Sequence, residues 1–176
     1  MREILVIDTS ILCVWLDVPG KETCGPSDDI WDKARVTALL KKEEKKGAQF
    51  VLPLAVIIET GNHISQSHNA WNCANSLCDI INKSIDSASP WVAFSQQNVL
   101  WSPENLRKLA NDWPEYAKAK LSLGDMTIKT VAEFYAEARY KVYILTGDTG
   151  LKAYEPVIIS PVPRRYLDKA KTSRLK

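Results

Sequence analysis

Long apolar runs are missing from this chain of 176 residues. The longest apolar stretch near its start, Ile4 to Leu16, is interrupted by Asp8 and is shorter than the roughly 20 apolar residues that a membrane-spanning helix needs. It has neither a basic leader nor a small-residue cleavage site, so it is interpreted as core rather than as a signal peptide. We therefore expect a cytoplasmic protein with no membrane partner.

The net charge of the chain is also small. The sum of 23 Lys and Arg against 21 Asp and Glu is a formal charge of +2. This value excludes a protein whose affinity for nucleic acid rests on overall basicity. Any nucleic-acid contact must be local, and the best candidate is the basic tail 164–176, where Arg164, Arg165 and Lys169 are opposed only by Asp168. The alternative is a solvated terminus that binds nothing.

The cysteines and histidines lack the spacings of common metal and catalytic sites. The cysteines are Cys13, Cys24, Cys73 and Cys78. None is separated from another by two residues as in a zinc knuckle, so we expect reduced thiols. His63 and His68 have no apparent Ser-His-acid or Cys-His pairing, and neither is assigned to catalysis.

Strand-like and helical patterns alternate along the chain, whose length fits one domain. Strands are predicted at 4–8, 50–52, 91–94, 142–145 and 157–159. The first is a continuous aliphatic run, which is typical of a strand covered on both faces. Such alternation favours right-handed crossovers and a doubly wound, mainly parallel sheet in the α/β class.

Capping and turn residues mark the predicted helices. Ser27-Asp28-Asp29 predicts the start of a helix that places Ile30 and Trp31 in its first turn and ends near Gly47. Pro53 suits the first turn of the next helix, which is predicted to carry Leu54, Ile57 and Ile58 inward. Further helices are predicted from about Ala70 to Ile85, from Pro103 and from Ser122.

Four acidic residues stand where such a sheet would bring them together. Asp8 and Asp148 each follow a strand, at the carboxyl edge where open α/β sheets bind ligands. Glu59 follows an apolar helical run, and Asp125 closes the capping box Ser122-Leu123-Gly124-Asp125. Each has a structural alternative, as a helix cap or a surface residue. Together they predict a site for a divalent cation.

Neutral polar side chains near these acids are candidates for orienting them. Ser10, Asn62 and Thr146 could hydrogen-bond the carboxylates or bound water. The alternative for all three is ordinary capping of turns and helices.

The order and context of these acids resemble the PIN-domain nucleases, over most of the chain. The stretches that carry the resemblance are 4–10 (ILVIDTS), 57–62 (IIETGN), 121–125 (LSLGD) and 145–148 (LTGD). The resemblance implies a three-layer α/β/α domain over residues 1–163. It implies that Asp8, Glu59, Asp125 and Asp148 are both metal ligands and catalytic residues. Two segments, 17–27 and 87–116, exceed what compact toxin members of that family generally carry.

The function expected from this resemblance is a Mg²⁺- or Mn²⁺-dependent endoribonuclease that leaves 5′-phosphate and 3′-hydroxyl ends. Hard oxygen ligands suit these ions. The expected partners are RNA as substrate, a protein inhibitor or the antitoxin of a toxin–antitoxin pair, and a second copy in a homodimer.

Two other functions stay open from the sequence. One is a catalytically inactive PIN-like module that binds RNA or protein. The other is a phosphatase in which Asp8 forms an aspartyl phosphate, although Ser10 stands where a haloacid-dehalogenase-like enzyme would carry a second aspartate.

Overall fold

A computed structural model of the protein describes residues 2–157. In chain order its elements are β1 (Glu3–Ile7), α1 (Thr9–Trp15), β2 (Thr23–Cys24), β3 (Trp31–Asp32), α2 (Lys33–Lys45), β4 (Gln49–Val51), α3 (Leu54–Ser65), α4 (Ala70–Ile85), a 3-10 helix (Phe94–Trp101), α5 (Pro103–Lys118), α6 (Leu123–Glu137), β5 (Lys141–Leu145) and α7 (Thr149–Lys152). The fold is mixed α/β, as expected, with a small parallel sheet flanked by helices. None of the helices described here is both long and apolar enough to cross a membrane.

The sheet has the strand order β4-β1-β5, and both pairings are parallel. Val6 of the central strand is in register with Val51 on one side and Ile144 on the other. Ile4 to Ile7 are buried, because helices and neighbouring strands cover this strand on both faces. Because both pairings are parallel, the carboxyl ends of all three strands lie at one edge of the sheet. Asp8 and Asp148 follow β1 and β5 at this edge.

The predicted strands at 4–8 and 142–145 are confirmed within one residue at each end, and the one at 50–52 is shifted by one residue. The strand predicted at 91–94 is wrong. Trp91 makes only an isolated bridge to Phe50, and Phe94 begins the 3-10 helix. The buried Gln97 of that helix donates from Nε2 to the Leu52 carbonyl at 3.1 Å, which ties the segment to the end of β4. Of the strand predicted at 157–159, everything after Val157 lies outside the described residues.

The first turn of α2 was predicted too early. The helix begins at Lys33, and its N-cap is Asp32, whose carboxylate accepts from the Arg35 amide at 2.7 Å. Trp31 instead pairs with Cys24 in a short antiparallel hairpin formed by β2 and β3, and Ile30 is exposed. The hairpin competes for these residues with the helix, and Asp32 supplies a cap immediately after it.

The inward face of α3 also differs from the prediction. Val56, Thr60 and Ile64 are buried at intervals of four residues, whereas Ile58 is 55% exposed. Leu54 and Ile57 are half-buried. The apolar run 54–58 could not show which of its residues faces the sheet, because every position in it is apolar.

Candidate functional site

Asp8 is the buried centre of the acidic site. It caps α1, and its carboxylate accepts from the Thr9 amide at 2.6 Å and the Ser10 amide at 3.4 Å. The hydroxyls of Ser10 and Thr146 donate to its Oδ2 at 2.6 and 2.7 Å. All of these donors are neutral, so they satisfy the carboxylate without cancelling its charge.

Burial raises the pKa of Asp8 above the usual value for an aspartate. The hydrogen bonds from Ser10, Thr146 and the Thr9 amide act in the opposite direction, and the negative charge of Asp125 adds to the rise. The effect of Asp125 means that these two carboxylates, 117 positions apart by their residue numbers, are close enough to repel each other. The folded protein therefore holds Asp8 in its charged form at a cost.

Glu59 is joined to the same site through α1. Its Oε2 accepts from the Thr9 hydroxyl at 2.9 Å, although the two residues are 50 positions apart. Its Oε1 occupies the space beside Gly124, where an added Cβ would collide with that oxygen. Glu59 thus lies between the start of α1 and the start of α6.

Asp125 forms the capping box that the sequence indicates. The Ser122 hydroxyl donates to Asp125 Oδ2 at 2.7 Å, and the Asp125 amide donates to the Ser122 hydroxyl at 3.0 Å. The structural role of Asp125 is therefore confirmed. Because the cap uses Oδ2, it does not prevent Oδ1 from contacting a ligand.

Asp148 caps α7 through Oδ1, which accepts from the Gly150 amide at 2.6 Å and the Leu151 amide at 3.3 Å. Its own amide donates to the Thr146 hydroxyl at 2.9 Å, the same hydroxyl that donates to Asp8. Thr146 therefore couples the ends of β1 and β5. Ser10 adds a second link, because its hydroxyl accepts from the Gly147 amide at 3.1 Å.

Two of the three predicted orienting residues thus contact Asp8 directly. Asn62 is exposed on α3, and its side chain makes no hydrogen bond to a residue in the range 2–157. Its role stays a prediction. Thr9 was not singled out for such a role, because its partner Glu59 is distant in sequence and no local pattern relates the two.

None of the four carboxylates forms an ion pair in the described part of the chain. The seven ion pairs there involve other acids, and none includes Asp8, Glu59, Asp125 or Asp148. Clustered acids with only neutral partners favour a cation, because the charges repel when nothing offsets them.

The donor atoms at this site are carboxylate and hydroxyl oxygens, which suit a divalent ion such as Mg²⁺. Across residues 2–157, no three of Asp, Glu, His and Cys lie close enough together to hold an ion by themselves. Each of the three carboxylates other than Asp8 has one oxygen that accepts no hydrogen bond from this part of the chain, namely Glu59 Oε1, Asp125 Oδ1 and Asp148 Oδ2. Mg²⁺ usually keeps several waters and takes only one or two carboxylates, so a closed protein cage is not required.

The β2–β3 hairpin closes one side of the site, which sequence reasoning missed. A Cβ added at Gly147 would lie 2.7 Å from Cys24 Sγ and from the Gly25 amide nitrogen. Strands of two residues carry no alternation by which a pattern could reveal them. The close packing of hairpin backbone on Gly147 explains why a glycine stands between Thr146 and Asp148.

The basic tail lies outside the described residues, and with it Arg164, Arg165 and Lys169. No family model, curated protein or solved structure matches the chain.

Proposed function

We propose that this protein is a metal-dependent endoribonuclease with a PIN-like, three-layer α/β/α domain over residues 1–163. One observation carries the proposal. Thr9 and Thr146 link Asp8 to Glu59 and to Asp148 through hydrogen bonds. The charge of Asp125 also acts on Asp8, and no lysine or arginine is paired with any of the four carboxylates in the described chain. A site that gathers negative charge in this way is suited to a divalent cation and a phosphate ester.

Asp8 and Asp125 are the proposed inner ligands, because their charges already interact. Glu59 and Asp148 each have one oxygen that accepts no hydrogen bond in the described chain, and these oxygens would hold water around the ion. Bound Mg²⁺ or Mn²⁺ would lower the pKa of a water molecule and offset charge on the phosphoryl oxygens. Thr9, Ser10 and Thr146 keep the carboxylates oriented, and the products are proposed to carry 5′-phosphate and 3′-hydroxyl ends.

The proposed setting is the cytoplasm, where unregulated RNA cleavage would be harmful. A protein inhibitor is therefore part of the proposal, as in a toxin–antitoxin pair. The basic residues Arg164, Arg165 and Lys169 are proposed to contact RNA phosphates.

The second candidate is a binding module without catalysis. It is favoured by the fact that Asp8, Asp125 and Asp148 all take part in capping a helix, which gives each a sufficient structural reason to be acidic. Glu59 caps nothing, and its contact with Thr9 is the feature that capping does not explain.

The deciding experiment is cleavage of a panel of single-stranded, hairpin and transfer RNAs with EDTA, Mg²⁺ or Mn²⁺. The test protein is the Asp8→Asn, Asp125→Asn double variant. The matched control is Asp79→Asn, the same chemical change on the exposed side of α4. Metal-dependent cutting by the wild type and the control, lost in the double variant, supports the nuclease. RNA binding with no cutting under any metal condition would instead support the binding module.

A further inference from the structure

Two cavities adjoin along β5 and meet at Trp31. Their volumes are about 330 and 120 Å³. They share four lining residues, which are Trp31, Ile144, Leu145 and Lys152. We call the joined cavities the β5 trough.

The β5 trough adjoins the Asp148 side of the acidic site. Thr146, Gly147 and Asp148 form part of the wall of its smaller cavity. Thr146 donates to Asp8 at 2.7 Å, so the end of the trough and the carboxylate cluster share a residue. Of the four carboxylates, Asp148 is the one that lines the trough.

Two half-buried aromatic rings line the trough, and a cation lies over each. The guanidinium carbon of Arg35 is 3.8 Å from the centre of the Trp31 ring. The Lys141 ammonium is 4.8 Å from the centre of the Tyr143 ring. Aromatic faces combined with nearby cations are the means by which proteins stack unpaired nucleobases without reading their sequence.

The charges of the trough suit a nucleotide better than a purely anionic or purely apolar ligand. Its three lysines are each paired with one carboxylate: Lys46 with Glu43, Lys141 with Glu3 and Lys152 with Glu155. The side chains of Lys46 and Lys152 are about half exposed, so a phosphate that enters the trough can contact them. Glu3 and Glu43 also line the trough, and their carboxylates can accept hydrogen bonds from the amino groups of bases.

We propose that the β5 trough binds a nucleotide of single-stranded RNA that flanks the phosphodiester at the acidic site. The inference rests on the proposed function for the placement of that phosphodiester. A base stacks on Trp31 or Tyr143, and the backbone phosphate contacts Lys46 or Lys152. Duplex RNA is excluded from this site, because its bases are already stacked and paired with each other.

The experiment uses the full chain in EDTA with a single-stranded RNA of about 12 nucleotides that contains 4-thiouridine. EDTA prevents metal-dependent cutting, so binding is measured separately from chemistry. After irradiation, mass spectrometry of the digested protein locates the crosslinked residues. Adducts are expected on the peptides that contain Trp31 or Tyr143.

Fluorescence anisotropy with the same RNA measures affinity in matched variants. Trp31→Leu is expected to raise Kd about tenfold, as loss of one stacked base does, while Trp31→Phe keeps most of the affinity. Trp71→Leu, at a tryptophan that is 79% exposed on α4, is the control and leaves Kd unchanged. The Phe variant separates loss of stacking from a packing defect.

A second pair tests the lysines. Lys46→Gln is expected to weaken binding and to lower the slope of log Kd against log salt by about one. Lys118→Gln is its control, since Lys118 and Glu115 form the same i,i+3 pair as Lys46 and Glu43 but on α5. Adducts confined to other surfaces, or unchanged Kd in both Trp31→Leu and Lys46→Gln, would overturn the proposal.

The outcomes distinguish this inference from the proposed function. RNA that crosslinks to the trough but is not cut with Mg²⁺ or Mn²⁺ leaves nucleotide binding in the trough standing and removes the nuclease, together with the phosphodiester at the acidic site. Metal-dependent cutting by Trp31→Leu with the KM of the wild type would support the nuclease and overturn RNA binding in the trough.

Discussion

Gly124 limits where the Glu59 carboxylate can lie in the acidic site. Glu59 is the one of the four acids that caps no helix. Gly124 opens α6 beside Glu59, and the Cβ of any other residue would collide with Glu59 Oε1. The Glu59 carboxylate would then have to move away from Thr9, which donates to it at 2.9 Å. Removal of the groups that orient metal ligands typically lowers metal affinity by about 10- to 100-fold.

Gly124→Ala is therefore expected to lower the affinity for Mn²⁺ about 10- to 100-fold, measured by calorimetric titration. Gly61→Ala is the matched control, because a Cβ there meets nothing within 4 Å in the middle of α3. That change is expected to raise the free energy of unfolding by about 0.5–1 kcal/mol and to leave metal affinity alone. Equal metal affinity in the two variants would contradict the role assigned to Gly124.

The buried Asp8 is expected to make the folded protein less stable as pH rises through its raised pKa. An unfolded aspartate titrates near about 3.9. Burial raises the pKa of Asp8 in the folded protein, so the folded state binds its proton more tightly. The stability associated with that proton is fully present below the unfolded pKa and is lost as pH rises through the folded pKa.

The Asp8→Asn side chain stays neutral at every pH. The variant is therefore expected to become more stable relative to the wild type as pH rises through that window. In EDTA, the difference in unfolding free energy should increase in favour of the variant as pH rises, and then level off. Urea denaturation at a series of pH values measures it, with Asp79→Asn as control for the substitution itself. A constant difference at all pH values would show that Asp8 is not strained by its burial.

At the scale of secondary-structure elements, the β2–β3 hairpin positions one wall of the site by packing on Gly147. Burial raises the pKa of the Cys24 thiol, with the Asp8 charge adding to the rise and a hydrogen bond with Ser10 opposing it. The thiolate is the reactive form, so half-buried Cys24 is expected to be alkylated slowly. Exposed Cys78 supplies an internal reference in the same sample.

Gly147→Ala is expected to displace the hairpin, because its Cβ would lie 2.7 Å from Cys24 Sγ. The rate of Cys24 alkylation by iodoacetamide, followed by mass spectrometry relative to Cys78, should then rise several-fold. Gly61→Ala should leave the ratio unchanged. If Gly147→Ala also leaves it unchanged, the hairpin does not depend on this contact.

The elements that could be predicted from the sequence are those with a strong one-dimensional signal. β1 and β5 each carry an apolar run, and the start of α6 carries a complete capping box, so the two strands and the capping role of Asp125 were predicted correctly. The face of α3 was not, because a uniformly apolar segment has no detectable phase. The Thr9–Glu59 bond and the Cys24–Gly147 contact join distant segments, and only the folded chain brings them together.

At the scale of the whole molecule, the acidic site is a local excess of negative charge on a chain with a formal net charge of only +2. Its repulsion is therefore not offset by distant lysines, whose fields are screened by salt within about 10 Å. A bound cation would relieve the repulsion and stabilise the folded state selectively. By mass action this amounts to about 2.7 kcal/mol at a metal concentration of 100 times Kd.

Mg²⁺ or Mn²⁺ is accordingly expected to raise the Tm of the wild type, relative to NaCl at equal ionic strength. Because the proton and the metal compete for Asp8, this increase should shrink as pH falls through the raised pKa of that carboxyl. The Asp8→Asn, Asp125→Asn variant should melt higher than the wild type in EDTA and show no metal response, whereas Asp79→Asn should respond as the wild type does. A wild type whose Tm is the same with and without divalent metal at neutral pH would mean that the four carboxylates are helix caps and hydrogen-bond acceptors alone.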